Sequence, residues 1–148
     1  MLRAAGRSRS EDPPFAIKRV SSLDGQSLTW HELFSALPGG VAIVDADGII
    51  RYVNDDLRTL TGFEGDSLIG QRVEALVPAA LRESHVFHRF SFVVSPHRRS
   101  MSELTGVVLV RKDGIELPVN IGLSPLAVAG EVWAIVAVQD TSAQRRLD

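Results

Sequence analysis

From Val132 to Val138 every position is apolar and β-branched residues recur, so neither alternate face of this stretch is meant for water. Such a run predicts a central strand covered on both sides. The stretch before it reads differently: Ile115, Leu117, Val119, Ile121 and Leu123 alternate with Glu116, Pro118, Asn120, Gly122 and Ser124, the pattern of a strand with one buried face. Leu104 to Val110 predicts its hairpin partner across the turn Arg111-Lys112-Asp113-Gly114, and Ser124 to Gly130 reads as a connection. Nearer the N-terminus, Val41 to Val44 and Ile49 to Val53 flank Asp45-Ala46-Asp47-Gly48, whose Asp-Gly signal predicts another hairpin.

Between these strands the period changes to that of helices. Trp30, Leu33, Phe34 and Leu37 fall at i, i+3, i+4 and i+7, Thr29 and Glu32 have capping-box spacing, and Pro38-Gly39-Gly40 ends the segment. Asn54 is placed to cap a helix that turns Leu57, Leu60 and Thr61 inward and stops at Gly62. Phe63 to Pro78 predicts two short pieces broken by Gly65 and Gly70. A third helix is expected from Ala79 to about Arg89, with Leu81, His85 and His88 along one face, either core or pocket. Thr141 and Gln144 repeat the capping-box spacing just after the central strand, which predicts the start of an output helix.

The order helix, two strands, short helices, three strands predicts an α+β fold: a five-stranded antiparallel sheet with short helices on one face and an N-terminal amphipathic helix. The expected division is a flexible arm over residues 1–26, a cap helix over 27–38, the α+β domain itself over 39–141 and the beginning of a C-terminal helix over 142–148.

Composition narrows the functional classes. The chain has 148 residues, 45% hydrophobic and 23% charged, which suits one globular domain. A formal net charge of −2 gives no reason to expect nucleic acid or an anionic membrane as partner. The absence of cysteine excludes disulfides, thiolate metal sites and cysteine nucleophiles and fits a cytoplasmic location. Between Arg82 and Arg99 lie four arginines and three histidines against the single acid Glu83; this reads as a solvated basic face or as an anion- or pH-sensitive one. Glu83, His85, His88 and His97 are the residues a metal-dependent enzyme could draw on, but no nucleophile with its base is apparent.

The segments VAIVDADGIIRYVN, LTGF, LIGQ, LVP, RKDGIELPVNIGLSPL and VQDTS, in that order from Leu33 to about Arg146, together resemble the PAS sensory domain family. The resemblance implies strand order 2-1-5-4-3, which puts Val132 to Val138 between the first hairpin strand and the strand of Val119. It also implies a non-catalytic signalling module, of the kind found in two-component or sigma-factor regulation, that binds a small ligand, forms a homodimer and passes a change to a C-terminal effector or partner signalling protein. On this chain the ligand pocket would be lined by His85, His88, Leu109, Val119, Ile121, Ala134 and Val136. The dimer and cap helix would be Trp30, Leu33, Phe34 and Leu37, and the output junction Asp140 and Thr141, although the family's usual Asp-Ile-Thr is here Asp140-Thr141-Ser142.

The cofactor stays open at this stage. The cysteine-dependent flavin photochemistry of the family is excluded. Haem-binding members hang haem from a histidine on the third helix, where His85 falls, but the distal arginine of that branch would fall near Thr105 or Gly106. Haem through His85 and a ligand-free dimerisation module are therefore the two alternatives to a small-molecule pocket.

Overall fold

The computed structural model describes residues 19–23, 26–100 and 107–142. The chain divides into two units, residues 1–36 and 37–148.

In the first unit, β1 (Arg19–Leu23) pairs antiparallel with β2 (Gln26–Thr29), and α1 (Trp30–Ser35) follows. A flexible arm through residue 26 was the sequence expectation; this hairpin corrects it for the described part. The sequence between these strands, Asp24-Gly25, carries the Asp-Gly signal of a hairpin. The capping box of α1 forms: Thr29 Oγ1 accepts from the Glu32 N–H at 3.2 Å, and Glu32 Oε2 accepts from the Thr29 N–H at 3.0 Å. Trp30 stacks on buried Phe34 with centroids 5.6 Å apart. The helix ends before Leu37, which is exposed and not part of its stripe.

In the second unit, β3 (Gly40–Val44), β4 (Ile50–Val53), β5 (Val107–Val110), β6 (Glu116–Val128) and β7 (Glu131–Asp140) make one antiparallel sheet in the order β4-β3-β7-β6-β5. Counted alone, the five strands run 2-1-5-4-3, as expected. β7 is the central strand, pairing Ala42 with Val136 on one side and Leu123 with Val136 on the other. The inner face carries Ala42, Val44, Leu109, Val119 and Val138, packed in one core with Leu57, Leu68 and Leu76 from the helical side.

Two strand boundaries differ from the sequence pattern. β6 continues to Val128 where a connection was expected, because Leu123 exchanges both backbone hydrogen bonds with Arg99 and therefore faces away from β7. Pro125, two residues on, points its missing N–H to that same outer side and costs the β6–β7 ladder nothing. Ile115, expected inside, precedes the strand and is exposed.

α2 (Asp55–Thr61) forms where its caps dictate. Asn54 Oδ1 accepts from the N–H groups of Leu57 (3.0 Å) and Val41 (2.9 Å), while its Nδ2 donates to the Gly39 carbonyl, so one side chain both starts the helix and ties it to β3. Gly62 ends it in the left-handed region at φ 81°. The two broken pieces expected next reduce to turns and a 3-10 segment, Val73–Leu76, and a second 3-10 turn, Ala79–Leu81, leads into α3 (Arg82–Val94). α3 thus runs five residues beyond its expected end.

Candidate functional site: the underside of the third helix

α3 lies between two anchor points. At its start it grows out of the 3-10 segments, and Val73 donates to the Gly48 carbonyl of the β3–β4 turn. Past its end, the Arg99–Leu123 bridge ties the following loop to β6.

Its inward face is unusual. Of thirteen residues only Phe92 is buried, and the other residues turned inward include His85 and Arg89, both half-buried. They meet on Glu74, a buried carboxylate from the 3-10 segment. Glu74 Oε2 lies 2.6 Å from His85 Nδ1 and accepts from Arg89 Nε at 3.1 Å; Oε1 accepts from Arg89 Nη2 at 3.3 Å. Burial by itself raises the Glu74 pKa, but the hydrogen bonds from Arg89 and His85 and the charges of both outweigh it and hold the carboxyl below the usual range. The guanidinium of Arg89 also lies on Gly48, where a Cβ would overlap it. Gly48 has φ 84°, so that turn position suits glycine for its backbone as well as for the close approach. One carboxylate therefore joins the 3-10 segment, α3 and the β3–β4 turn.

The expected site residues separate into groups. Leu109 and Val119 are sealed in the core. Ile121, Ala134 and Val136 are half-buried on the inner face, with Leu123 beside Val136 in register. His85 faces Glu74. His88, expected on the same face, is exposed and meets the Phe87 ring edge-on, and Leu81 is exposed too, since the helical phase turns the 85–89–92 row inward instead. His97 bonds the Ser95 carbonyl and Arg99, so His85, His88 and His97 do not converge. Glu74, Arg89 and Gly48 were missed. A lone acid within the apolar run Val73–Val77 was the available signal, because a buried carboxylate demands a cation.

Haem fits this arrangement poorly. The Nδ1–Glu74 contact leaves Nε2 as the nitrogen able to ligate, but of the walls a porphyrin would need, Leu109 and Val119 are closed against the core leucines and only Ile121 and Val136 stay half-buried.

At the exit of β7, the Thr141 N–H donates to the Pro118 carbonyl at 3.1 Å and Asp140 Oδ1 accepts from the Ser142 N–H at 2.8 Å. Thr141 is buried, so the junction is held against β6. The expected capping partner, Gln144, lies outside the described residues.

A five-stranded antiparallel sheet in this order, with helices gathered over one face, is the PAS architecture, and the PAS domain family matches residues 38–143. The chain belongs to that family, whose members are sensory rather than catalytic in general. It is 24% identical over 112 residues to the sensor protein FixL of Bradyrhizobium diazoefficiens, a match that covers 74% of this chain and 22% of that protein. The chain thus spans about a fifth of the length of that relative. Among solved structures it resembles the PAS domain of an HTR-like protein from Haloarcula marismortui (TM-score 0.61, 22% identity, covering 74% of this chain and 87% of that one). It also resembles the PAS domain of the quorum-sensing receptor RpfR from Cronobacter turicensis in complex with C12:0 (TM-score 0.55, 17% identity, covering 73% and 98%). Among the described residues no helix is long and apolar enough to cross a membrane.

Proposed function

We propose that this PAS domain is the sensory part of a signalling protein, that it takes up a small, largely apolar molecule between α3 and the inner sheet face, and that it works as a cytoplasmic homodimer relaying to an effector beyond Thr141. The role is regulatory rather than catalytic. One observation carries the ligand reading: Ile121, Leu123, Ala134 and Val136 adjoin one another on the inner face and stay half-buried, while their neighbours Val119 and Val138 are sealed. Apolar surface left open on the inner face of the sheet is surface a ligand can complete. Ala134 and Val136 lie on β7, which runs straight to Asp140 and Thr141, so a change sensed there reaches the exit along one strand.

The test is native mass spectrometry and solvent extraction of the purified protein, beside its Val136→Trp variant. The expected result is an apolar small molecule bound to the wild type and lost from the variant, with the fold unchanged. Protein that emerges ligand-free and whose melting is unmoved by a panel of fatty acids and other apolar metabolites overturns the ligand reading and leaves a dimerisation module.

A further inference from the structure

The outward face of α3 carries what its inward face lacks. Phe87, Phe90 and Val94 are 67%, 66% and 68% exposed and Val86 is 41% exposed, and all four fall on one stripe opposite His85, Arg89 and Phe92. Together they leave on the order of 400 Å² of apolar surface open, the size at which a patch on a single chain marks an interaction site.

The pattern of the stripe selects its occupant. Val86 and Val94 stand four residues to either side of Phe90, so these three positions match their own reverse; Phe87 has no such counterpart, since its reflection, Val93, is half-buried. An isologous contact sets the same patch against itself, so the patch must complement itself, and apolar side chains at equal distances from the axis do so. Two α3 helices crossing antiparallel at Phe90 bring each Val86 to the other copy's Val94. The charges agree with that direction. Glu83, on the same stripe at the N-terminal end, comes level with the exposed His97-Arg98-Arg99 stretch of the second copy, whereas a parallel pair would bring the two basic stretches together. Antiparallel packing also sets the helix dipoles in opposition. A standard interface needs roughly 800 Å² per partner, a little over half of it apolar. The stripe supplies about that apolar share, and the flanking charges supply a polar rim.

We infer that the second copy in the homodimer docks on the outward face of α3, antiparallel and centred on Phe90. This rests on the homodimer reading above and puts its surface on α3 instead of the cap helix of Trp30, Leu33, Phe34 and Leu37, where the family resemblance had put it.

Because the chain has no cysteine, single introduced cysteines report this geometry cleanly. In the full chain, Phe90→Cys is expected to form a disulfide-linked dimer on mild oxidation. His88→Cys, on another face, and Glu83→Cys, far from its own symmetry mate, are expected to stay monomeric in denaturing gels, while Glu83→Cys mixed with Arg98→Cys gives the mixed dimer. In sedimentation, Phe90→Glu is expected to weaken the dimer roughly tenfold or more, the loss typical of a central apolar anchor. A dimer that persists in Phe90→Glu without cross-linking at position 90 overturns the surface and leaves the homodimer reading standing. Self-linking of Glu83→Cys overturns the antiparallel direction. A wild type that sediments as a monomer at high concentration, or that pairs only with a different protein, removes both the homodimer reading and the surface.

Discussion

α2 and α3 are neighbouring helices built on opposite terms. α2 is seven residues long, yet it is capped at both ends, buries Leu57 and Thr61 completely, and has its last turn bonded from the β5–β6 turn by Arg111 Nη1 to the Leu60 carbonyl and the Lys112 N–H to that of Thr61. α3 is nearly twice as long, has no side-chain cap, and buries one residue. Its hold on the domain rests on Phe92 and on the charged cluster around Glu74. Apolar burial fixes α2 as scaffold, whereas directional polar contacts hold α3, which is the less deeply anchored of the two.

The comparison predicts a graded series of effects. The largest belongs to the scaffold: Leu57→Ala should lower unfolding free energy by about 3 kcal/mol, read by urea denaturation. A loss under about 1 kcal/mol would show that α2 is no more anchored than α3. Next comes the cluster. Glu74→Ala leaves the mostly buried Arg89 without its carboxylate and should cost about 2 kcal/mol, with hydrogen exchange quickening in α3 well before it does in α2. Its pH dependence has a definite sign. The folded-state pKa of Glu74 is lowered, so its contribution is complete above the ordinary carboxylate range and disappears as the pH falls through the folded value. Glu74→Gln should flatten that part of the stability profile, and a profile unchanged by the substitution would mean the cluster is not what titrates.

Smaller still, Gly48→Ala combines a left-handed backbone position with loss of the Arg89 seat and should cost about 1–2 kcal/mol. Combined with Arg89→Ala the two losses should fall short of their sum, because both act on one contact. The smallest effect is on the outward face of α3: Phe90→Ala, measured dilute enough to keep the chain monomeric, should alter stability by no more than about 0.5 kcal/mol. A larger loss there would place Phe90 in the fold of the single chain.

Local signals read from the sequence were sufficient wherever the deciding interaction lies within a few residues. The capping box Thr29–Glu32, the Asn54 and Gly62 caps of α2, the Asp-Gly turn at Gly48 and the two-sided apolarity of Val132 to Val138 all specify their own neighbourhoods, and with the family resemblance they carried the strand order. Pattern failed where the deciding partner is distant in sequence. Whether Pro125 breaks a strand depends on which edge its nitrogen faces, and that is set by Arg99. Whether His85 and His88 share a pocket depends on the phase at which α3 docks, and that is set by Glu74 eleven residues before His85 and by Gly48 in another hairpin. Helical spacing states which residues share a face, but only the tertiary structure decides which face turns inward. Here a buried carboxylate drew His85 and Arg89 in and left Phe87 and Phe90 outside.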